Sequence, residues 1–147
     1  NCAFMISTGS GLDSVAITFG RPVAFVNAMP LKDINYWTSC IWSPKHLFWE
    51  DGRRLSVLQH LRNGFRNLED YELSGIVIKD LSAEEISSSV FELVNNLEGK
   101  VDDDAIRLNR QKAFWQLFFS ETGYTQSSRY ATPCMLSGTF LDSTELE

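Results

Sequence analysis

Two apolar runs, Ala3-Phe-Met-Ile6 and Val23-Ala-Phe-Val26, lie so close in sequence that few arrangements can hold both. Neither run alternates with polar residues, the pattern of a strand covered on both faces. Between them stand Ser7-Thr-Gly-Ser-Gly11, a turn-forming stretch, and a helical segment from Leu12 to Phe19 closed by Gly20. Glycine just past a helix end adopts the left-handed conformation at little cost. Pro22 is tolerable where the next strand starts, because its first residue can lack a ladder donor. Strand, turn, helix and strand within 24 residues make a compact βαβ unit, right-handed and parallel. The expected fold class is therefore α/β: a short parallel sheet of about three strands flanked by helices, a partial Rossmann-like domain.

Further along, Asn27 to Trp49 is irregular and aromatic-rich, with room for a short strand at His46-Leu-Phe-Trp49. Leu55, Val57, Leu58 and Leu61 mark an amphipathic helix that Gly64 ends. Ile76-Val-Ile78 reads as the third strand. Ser82-Ala-Glu-Glu85 is a capping box, opening a helix whose expected core face is Ile86, Val90, Phe91, Val94 and Leu97. A last long helix runs from about Asp103 to Phe119, led by Asp102-Asp-Asp104, which suit the positive end of a helix dipole. Residues 120–147 are Ser/Thr-rich and read as a weakly ordered or appended segment. The chain opens inside a strand and without Met, so 1–147 is expected to be a single truncated domain.

Charge and cysteine content narrow the classes of function. A net charge of −6 and a pI near 4.9 exclude nucleic acid as a partner, since binding it needs a basic surface. Any anion must be held by local backbone groups. No apolar run approaches the roughly 20 residues that span a bilayer. Cys2, Cys40 and Cys134 are scattered, and with only His46 and His60 beside them no metal-ligand spacing arises. Reduced thiols in a cytoplasmic protein, with no metal and no cofactor, are the expectation.

Ser7, Thr8, Gly9, Ser10, Gly11, Leu12 and Asp13 form the segment that carries chemistry. A strand ends, the chain turns through two glycines, and a helix starts at once. The first helical N–H groups have no intrahelical partners and carry the positive end of the dipole. Gly9 and Gly11 remove the Cβ atoms that hold a phosphate away, and the hydroxyls of Ser7, Thr8 and Ser10 add donors. Such a loop can seat an anion without a basic residue, at the strand end where open α/β sheets bind ligands. The plain alternative is that Ser10-x-x-Asp13 merely caps the helix. No Gly-Lys-[Ser/Thr] follows, so this is not a P-loop, and Ser14 occupies the last position of a G-x-G-x-x-G.

The run from Ile6 to Asn27, with Gly20-Arg-Pro22 after the helix, resembles the donor-site segment of GT-B glycosyltransferases and of the non-hydrolysing UDP-N-acetylglucosamine 2-epimerases. With Val26-Asn27, Pro44-Lys-His-Leu47 and Gly52-Arg53 added, it more closely resembles a family assigned as glycosyltransferases among surface-polysaccharide and O-antigen genes. The resemblance covers most of the chain to about Phe119. It implies the donor-binding half of a bacterial glycosyltransferase of surface-polysaccharide biosynthesis, inactive alone, with a nucleotide-diphosphate sugar as ligand and Gly9, Ser10 and Gly11 against the diphosphate. It also implies a missing N-terminal domain that supplies the acceptor site. Where the epimerases carry a Glu pair, this chain has Ser14 and Val15, so the ribose role is empty or falls to Asp13 and transfer is implied over epimerisation. A non-catalytic interaction domain is the other alternative.

Beside the loop, Asn27 is expected to face the same crevice from the next strand end. Lys45 is a candidate phosphate partner, and His46 a candidate donor to a sugar or phosphate oxygen. Arg53, Arg54, Glu50 and Asp51 read as solvated surface. Phe114, Trp115, Phe118 and Phe119 span an arc too wide for one contact, which core packing, the missing domain or a second copy in a homodimer would cover.

Overall fold

The computed structural model describes residues 2–100, 104–124 and 134–147. Asp102 and Asp103 of the expected acidic helix start, and residues 125–133, lie outside the described residues. In chain order the elements are β1 (Met5–Ser7), α1 (Asp13–Thr18), β2 (Val23–Ala28), a 3-10 turn (Leu31–Asp33), β3 (Cys40–Pro44), β4 (His46–Trp49), α2 (Val57–Asn63) and α3 (Leu68–Leu73). They continue with β5 (Ile76–Lys79), α4 (Ala83–Leu97), α5 (Ala105–Thr122), β6 (Cys134–Leu136) and α6 (Gly138–Ser143).

Among the described residues a four-stranded sheet runs in the order β1-β2-β3-β6, every pairing parallel. The expected α/β class and the compact βαβ unit are both present. Register puts Val23, Cys40 and Cys134 in one row and Phe25, Trp42 and Leu136 in another on the same face. That face buries against Ala16 of α1, Val57 and Leu61 of α2, Phe114 and Phe118 of α5, and Phe140 and Leu141 of α6. The opposite face, Ala24 and Ile41, packs on Leu93 and Val90 of α4. The sheet is thus the middle of three layers, which is why its strands are apolar on both sides.

Several expectations change. Ile76–Lys79 is not a strand of the parallel sheet: it pairs antiparallel with β4 in a separate ribbon, over a small cluster of Leu47, Leu55, Phe65, Tyr71 and Ile76. The parallel sheet gains β3, hidden in the aromatic segment, and β6. Residues 134–147 are accordingly not a loose appendage, because Leu136 and Leu141 are fully buried in the main core. On α4 the buried positions are Ser89 and Leu93, while Phe91 and Leu97 point to solvent. The reason is a close helix–sheet contact. Ser89 Oγ donates to the Glu85 carbonyl (2.9 Å) and meets Ser43 Oγ of β3 at 2.8 Å, so small residues set the buried face. The aromatic arc of α5 is filled within the chain, where Phe114 and Phe118 are buried and Tyr36 packs on Phe118 and Phe119.

The α5 helix also holds the outer strand. Gln111, buried on α5, donates Nε2–H to the Leu136 carbonyl (2.6 Å), while its Oε1 accepts from the Leu136 N–H (3.1 Å). One primary amide thus satisfies both outward-facing backbone groups of an edge-strand residue, as a neighbouring strand would.

Candidate functional site

The loop after β1 is built around two glycines. Gly9 and Gly11 both have φ of 84°, a conformation that side-chain-bearing residues adopt at a cost, and a Cβ at either would meet no atom within 4 Å. Ser7 is buried and its Oγ accepts the Gly9 N–H at 3.1 Å, which folds the loop back over the strand end. Ser14 Oγ donates to the Gly11 carbonyl at 2.5 Å and tightens the entry to α1. Leu12 is the N-cap of that helix, and no side chain caps it. The capping role open to Ser10 and Asp13 is therefore not used. The N–H groups of Ser10, Gly11, Leu12 and Asp13 have no partner among the described residues. Thr8, Ser10, Gly11 and Leu12 are exposed, so this end of the helix meets solvent rather than core.

A crevice of about 400 Å³ opens beside the loop, within the range of small-molecule sites. Its walls are Gly9, Gly11, Asp13, Ser14, Ile17 and Thr18 on one side; Phe25 and Trp42 form the floor, with Met29, Asp33, Asn35 and Trp37 opposite. The crevice sits at the C-terminal ends of β1 and β2. The β2–β3 connection contains the 3-10 turn Leu31–Asp33 and no full helix.

Two of the crevice-lining residues carry polar side-chain groups with no hydrogen bond among the described residues. Asp13 is only 6% exposed, lines the crevice, and makes no hydrogen bond or ion pair among the described residues. Trp42 is 3% exposed and its Nε1–H, fully buried, has no acceptor. Among the described residues no Lys, Arg or His lines the crevice.

Three expected site residues stand elsewhere. Asn27 has φ of 53°, a left-handed conformation that Asn tolerates better than most, and its Oδ1 accepts the Leu81 N–H at 2.7 Å. It ties β2 to the start of α4 and does not line the crevice. Lys45 pairs with Asp80 at 2.6 Å. His46 lies between two groups: Arg54 donates to Nδ1, which leaves the proton on Nε2 for Glu85 Oε1 at 2.8 Å. Burial pushes the Glu85 carboxyl up, but the Ser82 N–H and His46 outweigh it and hold the group below its usual value. The cause of both displacements is the turn after Pro44, which carries Lys45 and His46 away from the four-stranded sheet and into the ribbon with β5. Arg53 pairs with Asp51 at the exposed ribbon tip, as a solvated pair.

The residues that sequence reasoning missed are Asp33, Asn35, Trp37 and Trp42. Their signal was positional: Asp33-Ile-Asn-Tyr-Trp37 follows the second parallel strand, so it belongs at the same sheet end as the first loop. Among the described residues no three His, Cys, Asp or Glu side chains converge as a metal site, and no helix is long and apolar enough to cross a membrane. Compared with protein-family models, with curated proteins and with solved structures, the chain matches none.

Proposed function

We propose that this chain is the nucleotide-sugar-binding part of a glycosyltransferase, seating the donor diphosphate on the backbone of Ser10 to Asp13. The observation that carries the reading is the uncapped start of α1, where four adjacent N–H groups lack partners among the described residues beside a crevice, three of them on the exposed residues Ser10, Gly11 and Leu12. Unpaired backbone donors at a helix start stabilise negative charge, and in a transfer reaction that charge grows on the departing diphosphate. With Lys45 and His46 engaged in the ribbon, the reading rests on main-chain donors alone. The acceptor and the proton-accepting base would come from another domain of the same enzyme.

The test is a titration of the ¹⁵N-labelled chain with UDP, GDP and CMP. The expected result is a saturable shift of the Ser10, Gly11, Leu12 and Asp13 amides with at least one of them. Gly11→Asp places a carboxylate in that seat, where a Cβ has room, and should abolish the response while the thermal melt moves by only a few degrees. Wild-type amides that ignore all three nucleotides, or an unchanged affinity in Gly11→Asp, would dispose of the reading.

A further inference from the structure

The β1 side of the parallel sheet carries a surface that neither the loop nor the crevice uses. The Met5 N–H reaches the Pro22 carbonyl at 2.9 Å, so Met5 and Ser7 turn their backbone groups toward β2. Alternation then turns the Ile6 N–H and carbonyl outward, where neither has a partner among the described residues. Apolar side chains flank this edge on both faces. On one face Cys2 and Met5 form, with α1, a groove of about 360 Å³. Leu12, Val15 and Phe19 line it from positions i, i+3 and i+7, hence from one helical face, and are 64%, 51% and 76% exposed. On the other face the Ile6 side chain is half exposed.

Charge narrows what can lie there. In a chain at −6 with 22% charged residues, residues 1–20 hold one charged side chain, Asp13, which is buried and lines the crevice instead. Among the described residues Arg21 is the one charged group in the groove, level with the start of β1. Two copies at −6 repel over most of their surfaces, and they repel least through this neutral, apolar side. An unpaired strand bonds to another unpaired strand, and a second copy supplies one of identical chemistry.

We infer that the β1 edge and the α1 face form a homodimer interface, in which β1 pairs antiparallel with β1 of a second copy about a two-fold axis through Ile6. Each Ile6 gives its N–H to the other's carbonyl, and the two isoleucine side chains meet across the pair. Each α1 lays its apolar face beside the other, while the two-fold sends the Arg21 side chains to opposite ends. Two four-stranded sheets become one of eight. The dimer does not depend on the transferase reading, and it uses a different surface from the α5 arc, which is filled within the chain.

Sedimentation equilibrium of the full chain from about 5 to about 500 µM should show the mass rising from 16.7 kDa toward twice that value. Over the same range hydrogen exchange at the Ile6 amide should slow. Replacing Val15 and Phe19 together by Lys should weaken association by about tenfold or more. Both sites are exposed, so the thermal melt should hold. Ile6→Pro removes the outward donor without touching a bond to β2 and should act in the same direction. Leu73→Lys, on the 81% exposed tip of α3, should leave association unchanged. If Ile6→Pro disturbs the fold, the lysine pair and the Ile6 exchange still decide. A monomer at about 500 µM, the result expected if a different protein or a further domain covers this side, overturns the proposal. So does a dimer that survives the lysine pair, or one in which Ile6 exchange does not slow.

Discussion

Beneath the ribbon, His60 of α2 and Tyr71 of α3 share a hydrogen bond of 2.6 Å between Nε2 and the phenol oxygen, both groups buried. Burial first, and the nearby Lys32 second, lower the His60 pKa from 6.5 to about 4, while burial raises that of the Tyr71 phenol. The unfolded chain therefore takes up a proton near pH 6.5 that the folded chain refuses until about pH 4. Stability is full above the upper value and falls as pH drops through that window, by on the order of 3 kcal/mol for this one group. Urea unfolding at a series of pH values should show that slope, and it should flatten in His60→Gln. At this scale the sequence was legible where the backbone conformation alone decides. Gly9 and Gly11 announce a turn because only their conformations permit it. It was illegible where a side chain has a choice of distant partners: Asn27 reaches Leu81 and His46 reaches Glu85, and no local pattern encodes those meetings. Nor could composition reveal that Asp13 and Trp42 go unpaired.

Among elements, the most economical contact is the Gln111 amide on the backbone of Leu136. Replacement by Leu keeps the volume but strands a buried N–H and a buried carbonyl at the sheet margin. We expect a loss of about 2 kcal/mol, with faster amide exchange at Leu136 as the local readout. Exchange at Leu136 that stays slow in Gln111→Leu would show that another group holds the strand. Local rules read several elements well. The capping box of Ser82 and Glu85 forms as written, and Gly64 ends α2 with φ of 65°. They failed on β3, because Cys-Ile-Trp-Ser-Pro mixes a small polar residue and a proline into a fully buried strand. They failed on β6 because three residues carry too little periodicity. The direction of β5 was also beyond them, since pairing partners decide whether a strand joins a parallel sheet or a ribbon.

Across the whole molecule, negative charge and a proposed anion seat coexist with no basic residue in the crevice among the described residues. Phosphate sites built from Lys or Arg weaken as salt screens their attraction. Here the dominant long-range effect on an approaching nucleotide is repulsion, which salt also screens. Raising NaCl from about 20 to about 200 mM should leave UDP affinity unchanged or strengthen it, as calorimetry would show. A steep loss of affinity would point to a cationic site elsewhere on the surface. The two margins of the parallel sheet are also unequal. One is stoppered at Leu136 by the Gln111 amide; the other, β1, has no outer strand among the described residues and leaves Ile6 half exposed. A sheet with a single open rim can gain only one neighbour by strand addition, and two copies that meet rim to rim consume each other's opening. Self-association by that route ends at a pair and has no way to propagate into a fibre.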